Sequence, residues 1–322
     1  MRAAVVRRQG EPEELTLGEW AAEVPGSNEV LIDVAAIGVN YHDIYERSGL
    51  YPREVPYVPG LECAGTVAAI GSEVTGIAVG SLVVTMNASP GSYAEKVVAP
   101  AERVLLVPDG VSAEQAAAVL LHGLTVHYLT QESYTTRPGE TALVHAAAGG
   151  VGQLLTQMLT LQGARVIGTV SSAAKEEAAR AAGAQEVIRY TEVDFAPEVG
   201  KLTGGGGVDV VFDGVGQATF KGSLASLRPR GTLVLYGQPS GVVPPMDMTV
   251  GWPGSIKMTV PSIPDFIATS EEFATRGKEV LSWVSSGNVK VPIGRTYPLA
   301  DAANAHADLQ QRRSTGKLLL TP

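Results

Sequence analysis

The chain has 322 residues, of which 45% are hydrophobic, and its mean hydropathy is +0.12. This length and composition predict a folded protein with room for two domains. The 24 Lys and Arg residues against 33 Asp and Glu residues give a formal net charge of −9, which argues against nucleic acid or an anionic membrane as partner. One cysteine, Cys63, excludes a disulfide framework and a multi-cysteine zinc cluster. With no transmembrane-length apolar run and a first segment that reads as a strand, a cytoplasmic location is expected.

Short apolar segments fill the first third of the chain. Strands are predicted at residues 30–39, 62–70, 81–86 and 93–98. The glycines that separate them are Gly71, Gly76, Gly80 and Gly91. Short strands with closely spaced turns favour a small β-barrel.

The pattern changes near residue 111, where two helices are predicted at residues 113–121 and 125–131. Strands then alternate with helices. The predicted strands lie at residues 141–145, 165–169, 187–190, 208–213, 232–236 and 257–260. This alternation predicts an α/β fold with a doubly wound parallel sheet. A helix at 271–285, an extended segment at 290–297 and a last strand at 316–321 follow, and that strand is expected to return to the barrel.

The run VHAAAGGVG at residues 144–152 joins a predicted strand to a predicted helix. Ala147, Gly149 and Gly152 align with the dinucleotide fingerprint G-x-G-x-x-G, with alanine in place of the first glycine. The N-terminus of such a helix attracts a pyrophosphate through free N–H groups and a partial positive charge. Taken alone, an ordinary glycine-rich turn explains the run equally well.

The end of the next strand indicates which dinucleotide is bound. NAD enzymes of this fold place an acid there for the ribose 2′-hydroxyl, whereas this chain has small polar residues followed by Lys175. A cation and no acid favour NADPH, although Lys175 is also explained as a solvated helix residue. Glu176 and Glu177 follow on a helix expected to begin near residue 173, and they are expected to point into solvent.

Four motifs together resemble one family. They are GVNYHD at 38–43, RSGLYP at 47–52, the turn at 147–152 and RSTGK at 313–317. In order and spacing the chain resembles the zinc-independent NADPH:quinone oxidoreductases, the zeta-crystallin-like branch of the medium-chain dehydrogenase/reductase superfamily. The resemblance implies a GroES-like β-barrel domain at residues 1–121 and 262–322, a Rossmann NADPH-binding domain at 122–261, and a cofactor cleft between them.

The resemblance also bears on metals. Zinc enzymes of the superfamily carry a cysteine near the position of Asn40 and a histidine at the position of Leu61, before the glutamate that aligns with Glu62. An amide and an alkyl chain cannot replace thiolate and imidazole, so no metal site is expected. Cys63 is expected to be a buried structural residue, because neighbours on a strand face opposite sides.

The family roles carry over onto particular positions. Asn40, Tyr45 and Tyr51 are the expected catalytic residues, and His42 is a further candidate proton relay. Each tyrosine is also explained as a wall of the site, and His42 as a residue that caps or hydrogen-bonds the loop. Nicotinamide contacts are expected from Asn40, Tyr45, Thr125 and Tyr128. Pyrophosphate contacts are expected from Gly149, Gly150 and Val151, and 2′-phosphate contacts from Ser171, Lys175, Tyr190 and Arg312. Gly237 and Lys317 are further residues expected to bind the cofactor, although a strand end explains Gly237 and a solvated tail explains Lys317 equally. His122 departs from the family, where lysine is common.

The implied reaction is reduction of a quinone, or another conjugated carbonyl, by hydride transfer from NADPH. Two alternatives stay open: reduction of an enal or enone double bond, and a non-catalytic NADPH-binding protein. The resemblance further implies a homodimer that pairs the edge strands at 257–260 of two subunits.

Overall fold

A computed structural model of the chain describes residues 1–246 and 254–322. The chain divides into two compact units. The terminal unit comprises Met1–Leu124 and Ile267–Pro322, and the central unit comprises Thr125–Phe266, a few residues later at each end than the range 122–261. Within the described ranges, none of the helices combines the length and apolar character needed to span a membrane.

The first part of the terminal unit is mostly strand, as predicted. Its strands are β1 (Arg2–Val6), β2 (Leu15–Glu19), β3 (Glu29–Val39), β4 (Glu62–Ile70), β5 (Leu82–Met86), β6 (Lys96–Pro100) and β7 (Val104–Leu106). β1 confirms the prediction of a first strand, and it pairs antiparallel with β2, which was not predicted. A short helix, α1 (Tyr41–Ser48), follows β3; Asn40 is its N-cap residue, and Tyr45 lies within it.

The two helices predicted after residue 111 are one helix, α2 (Ala113–Tyr128), which continues into a π-helical turn at Leu129–Ser133. The prediction of a break was wrong because Gly123 reads as a helix breaker. A Cβ at Gly123 would overlap the Val280 side chain, so this glycine serves close packing inside the terminal unit. The helix begins with a reciprocal cap, in which the Ser112 and Gln115 side chains each bond the other's backbone N–H.

The central unit alternates strand and helix. Its elements are β8 (Thr141–Val144), α3 (Gly150–Leu161), β9 (Arg165–Val170), α4 (Ala173–Ala181), β10 (Glu186–Arg189), α5 (Phe195–Leu202), β11 (Val208–Asp213), α6 (Phe220–Ser226), β12 (Leu227–Leu235), β13 (Lys257–Thr259) and α7 (Ile263–Phe266). The strands pair in parallel in the order β10-β9-β8-β11-β12-β13. This confirms the doubly wound sheet. Leu143, Ile167, Val211 and Leu233 from neighbouring strands are fully buried in its core.

The chain ends in the terminal unit. Its last elements are α8 (Ser270–Ser285), β14 (Ile293–Pro298), α9 (Ala302–Gln310) and β15 (Lys317–Thr321). β15 pairs antiparallel with β3 in a seven-stranded sheet, which confirms that the last strand returns to the N-terminal strands. Helix α9 was missed.

Candidate active site

The turn between β8 and α3 has the geometry of an anion site. Gly149 caps α3, and its N–H donates to the Ala146 carbonyl oxygen at 2.8 Å. A Cβ at Gly152 would overlap that same oxygen, so glycine is required for the helix to start this close to the strand. The first N–H groups of α3, at Gly150 and Val151, have no acceptor within the helix. They can therefore bind a phosphate oxygen.

Ala147, which stands in place of the first fingerprint glycine, is accommodated by a neighbour. A Cβ at Gly168 in β9 would lie 2.8 Å from the Cβ of Ala147. The missing side chain at Gly168 thus makes room for the methyl group of Ala147. The two positions lie in different segments of the sequence, so the compensation is visible only once β8 and β9 are paired.

A buried hydrogen-bond network supports this edge of the sheet. His145 Nδ1 lies 2.8 Å from Thr169 Oγ1 and Nε2 lies 3.0 Å from Ser223 Oγ. Ser223 Oγ in turn donates to Asp213 Oδ2 at 2.7 Å. Burial lowers the pKa of His145, and Asp213 opposes this only partly. A neutral His145 therefore connects the end of β8 to β9 through Thr169 and to the end of β11 through Ser223 and Asp213.

The structure brings three residues expected at the 2′-phosphate to the ends of β9 and β10. Ser172 Oγ caps α4 by accepting the Lys175 backbone N–H at 3.4 Å, which places Lys175 in the first turn after Ser171. The Tyr190 N–H donates to Val170 O at 3.1 Å, so Tyr190 follows the neighbouring strand at the same edge. Positive charge near a helix N-terminus beside polar groups suits a phosphate.

Glu176 is not directed into solvent as expected. Its carboxylate is held by Arg180 at 2.9 Å and by Arg189 at 3.2 Å, and the side chain is only 24% exposed. Glu177 is exposed. The prediction was wrong for Glu176 because Arg189 ends the neighbouring strand β10, a relation that helix periodicity cannot reveal. The charge of Glu176, the residue that follows Lys175 in the sequence, is thereby neutralised.

Thr125 and Tyr128 share the last part of α2. Tyr128 stacks on Phe266 with ring centroids 4.5 Å apart and planes 7° apart. Burial raises the pKa of Tyr128, and a hydrogen bond with Thr125 lowers it only partly, so Tyr128 stays a phenol. Gly237 has a packing role, since a Cβ there would lie 2.8 Å from Gly214 O. The nicotinamide contacts of these residues stay predictions.

In the terminal unit, Asn40 is buried and fixed by its neighbours. Its Nδ2 donates to Glu62 Oε1 at 3.0 Å and to Gly38 O at 3.3 Å, and its Oδ1 accepts from Lys317 Nζ at 2.6 Å. Both amide hydrogens are used. This side chain therefore has no free amide hydrogen to offer a ligand.

Lys317 is not a solvated tail residue. Its side chain is 1% exposed, and Nζ lies 2.6 Å from Glu62 Oε1. Glu62 Oε2 accepts the Leu121 N–H at 2.6 Å. Gly38 makes this possible, because a Cβ there would overlap the Glu62 carboxylate. Sequence reasoning missed the pair, since no local signal links β4 to β15.

His122 joins the same cluster. Its Nε2 lies 3.3 Å from Lys317 Nζ, and its buried Nδ1 has no hydrogen-bond partner among the described residues. Burial, followed by the charge of Lys317, lowers the pKa of His122 well below its usual value. His122 therefore stays neutral.

The aromatic residues expected to relay protons lie together on α1 and just after it. The ring centroids of Tyr45 and Tyr51 are 5.2 Å apart, and those of His42 and Tyr51 are 5.3 Å apart, both edge to face. Tyr51 is 38% exposed. Burial lowers the pKa of His42, which disfavours it as a proton donor. The cluster can contact a flat aromatic ligand.

A second buried network holds α1 against α9. Arg47 Nε donates to His306 Nδ1 at 3.2 Å, so His306 Nε2 carries the proton shared with Tyr93 OH at 2.9 Å. Tyr93 OH donates to Asp43 Oδ2 at 3.0 Å. Burial raises the pKa of Asp43 to about 7 although the backbone of Asn40 and Tyr93 stabilise its charge. Burial and Arg47 lower the pKa of His306 to about 3.

Arg312 also lies in the terminal unit, in the turn after α9. Its φ of 57° is left-handed, and its N–H donates to Leu309 O at 3.1 Å. Its role toward the 2′-phosphate stays a prediction.

Cys63 is buried as expected. Its side chain is inaccessible, and burial raises the pKa of the thiol to about 12. Across residues 1–246 and 254–322, the structure contains no cluster of three or more His, Cys, Asp or Glu side chains placed to hold a metal ion.

Comparison with known families matches two models. Residues 26–109 match the alcohol dehydrogenase GroES-like domain, and residues 182–320 match a model described as zinc-binding dehydrogenase.

Individual relatives match along almost the whole chain. A quinone oxidoreductase of Pseudomonas aeruginosa is 41% identical over 315 residues, which is 97% of each chain. A 2-haloacrylate reductase of a Burkholderia species is 36% identical over 328 residues, covering 99% of this chain and 98% of the relative. The solved Escherichia coli quinone oxidoreductase in complex with NADPH is 39% identical, covers 100% of both chains and superposes with a TM-score of 0.96. The chain therefore belongs to the quinone oxidoreductase family of the medium-chain dehydrogenase/reductase superfamily.

Proposed function

We propose that this protein is an NADPH-dependent oxidoreductase that reduces quinones by hydride transfer without a catalytic metal. The turn between β8 and α3 carries the proposal, because Gly152 lets α3 start close to β8 and the N-cap residue Gly149 leaves room for a pyrophosphate at the helix N-terminus. The Escherichia coli relative solved with NADPH supports the same cofactor.

The residues at the ends of β9 and β10 favour NADPH over NADH. Lys175 lies in the first turn of α4, Ser171 directly precedes the N-cap residue Ser172, and Tyr190 follows the neighbouring strand. Glu176, the residue after Lys175, is paired with Arg180 and Arg189, which neutralise its charge toward a phosphate. NAD enzymes of this fold instead direct a carboxylate at the ribose.

When bound, the dinucleotide supplies a hydride from C4 of its dihydronicotinamide ring. Gly150 and Val151 would bind its pyrophosphate through backbone N–H groups. In the role that the family resemblance implies, Asn40 Oδ1 would accept a hydrogen bond from the carboxamide, with Lys317 and Glu62 holding the amide in place. Tyr45 and Tyr51 contact the ring of the acceptor and exclude water, which leaves orientation as the main contribution of the protein.

The side chains at the positions of the zinc ligands do not suit a catalytic metal. Asn40 has an amide where a thiolate would be needed, and Leu61 has an alkyl chain where an imidazole would be needed. Cys63 cannot supply the thiolate, because burial raises its pKa to about 12.

Reduction of an activated carbon–carbon double bond is the second candidate. The 2-haloacrylate reductase at 36% identity supports it, and conjugate addition of a hydride requires a similar geometry. Side-by-side turnover of 1,4-naphthoquinone and 2-chloroacrylate with NADPH separates the two functions. We expect rapid NADPH oxidation with the quinone. Turnover of 2-chloroacrylate alone would favour the second function, and turnover of neither would leave a non-catalytic NADPH-binding protein.

A further inference from the structure

We infer that His122 donates a hydrogen bond from Nδ1 to the carbonyl oxygen of the acceptor, and that this site selects an uncharged carbonyl over a carboxylate. The inference rests on the proposed function and adds a substrate-binding residue to it. It begins with the Lys317 ammonium, which has only donors to offer.

The three hydrogens of that ammonium have three partners. They are Glu62 Oε1 at 2.6 Å, Asn40 Oδ1 at 2.6 Å and His122 Nε2 at 3.3 Å. Because His122 Nε2 must accept, the proton of the neutral ring lies on Nδ1. Lys317 therefore fixes the tautomer of His122.

The Nδ1–H group is buried and lacks a partner among the described residues. A buried donor without an acceptor is destabilising, and such groups are rare unless a ligand or water completes them. The buried Nδ1–H group without a partner thus indicates that an acceptor atom of a ligand binds at Nδ1.

The location of His122 indicates which acceptor this is. Lys317 contacts His122 and Asn40 with the same ammonium, so His122 is one hydrogen-bonded step from the residue proposed to hold the carboxamide. A carbonyl oxygen gains negative charge as its substrate accepts a hydride. A donor fixed at that oxygen stabilises the developing charge.

The charge balance of the cluster favours an uncharged substrate. Glu62 lies 2.6 Å from Lys317 and neutralises it, so His122 presents a neutral donor with no net positive charge beside it. A carboxylate would be desolvated here without an opposing charge. A quinone carbonyl carries no charge, so its binding would not incur this desolvation cost.

Three enzymes test the inference with NADPH and 1,4-naphthoquinone. His122→Leu removes the donor, His122→Asn restores an N–H close to the position of Nδ1, and Glu114→Gln changes an exposed side chain on the same helix as a control. We expect His122→Leu to lower kcat/KM about tenfold to a hundredfold, with the Kd for NADPH unchanged. His122→Asn should recover most of the loss, and Glu114→Gln should match the unmodified enzyme.

A second measurement needs no substitution. With NADP⁺ bound, the ¹⁵N-labelled Nδ1–H of His122 should shift when 1,4-naphthoquinone is added, and 2-chloroacrylate should shift it less. The unmodified enzyme should also have a higher kcat/KM for the quinone than for 2-chloroacrylate.

An unmodified enzyme that reduces quinones while His122→Leu is equally active would overturn the inference and leave the proposed function intact. An unshifted Nδ1–H, an Asn variant as poor as the Leu variant, or a preference for 2-chloroacrylate would also overturn it. An unmodified enzyme without quinone turnover would overturn both proposals.

Discussion

Lys317 Nζ and Glu62 Oε1 lie 2.6 Å apart, and at most 1% of either side chain is exposed. The two residues are 255 positions apart in the sequence, and their contact joins β15 to β4 next to Asn40. A buried pair of this kind is destabilising when one partner is removed, because the remaining charge has no counterion.

Lys317→Met should lower the free energy of unfolding by about 3–5 kcal/mol, since it leaves the Glu62 carboxylate buried and unpaired. Denaturant titration measures the loss. Lys96→Met is the matched control, because Lys96 pairs with Asp33 at 2.5 Å but both are about half exposed. The control should cost about 1 kcal/mol or less. Equal losses in the two variants would show that burial of the Glu62–Lys317 pair does not matter.

The contribution of Asp43 to stability should fall as pH rises. Its folded pKa of about 7 exceeds the ordinary value of 3.8, so the folded state binds its proton more tightly between these values. The stabilisation is complete below pH 3.8 and is lost as pH rises through about 7.

Relative to Asp43→Asn, the unmodified protein should lose up to about 1.4 kcal/mol of stability per pH unit across this window. Unfolding of both proteins from pH 5 to 8 measures the difference, with the exposed Asp109→Asn as control. The comparison with Asp43→Asn is needed because His306 also changes the stability with pH. Its pKa is lowered to about 3 in the folded protein, so its contribution to stability rises with pH, opposite to that of Asp43. A difference between the unmodified protein and Asp43→Asn that does not change with pH would contradict the assignment.

Lys175→Ala should weaken the use of NADPH and leave the use of NADH nearly unchanged. Only NADPH carries the 2′-phosphate, and losing one charged partner should cost about 1–3 kcal/mol, or roughly tenfold to a hundredfold in affinity. Steady-state kinetics with both cofactors at a fixed quinone concentration measures this. Glu177→Ala, an exposed change on the same helix, is the control. Equal loss of kcat/KM for both cofactors would make Lys175 a general surface residue.

A homodimer is expected through the edge strand β13. It is the last strand in the order of the central sheet, and Met258 and Val260 are 40% and 67% exposed beside it. Val260→Lys brings like charges together if two such edges pair, so it should convert dimer to monomer in sedimentation velocity. Val24→Lys, at a position 87% exposed, is the control. A monomeric unmodified protein at micromolar concentration would contradict the dimer.

Local pattern predicted the parts of the fold that depend on local chemistry. The alternation of strands and helices predicted the central sheet, and the glycines of the 147–152 turn predicted the start of α3. Gly123 led to the wrong prediction of a helix break, because its packing partner, Val280, is distant in the sequence. The Lys317–Glu62 pair and the neutral His122 beside it were unpredictable for the same reason, since a charged residue near the chain end reads as solvated until β15 is paired.

The most direct test of metal-free, NADPH-dependent quinone reduction is NADPH oxidation by chelator-treated, zinc-free protein in the presence of 1,4-naphthoquinone. We expect stoichiometric quinol formation, a rate unchanged by chelation, and a higher kcat/KM with NADPH than with NADH. Metal analysis of the same sample supplies the control. Loss of turnover on chelation with recovery on adding zinc, or no quinol formation at all, would contradict the account.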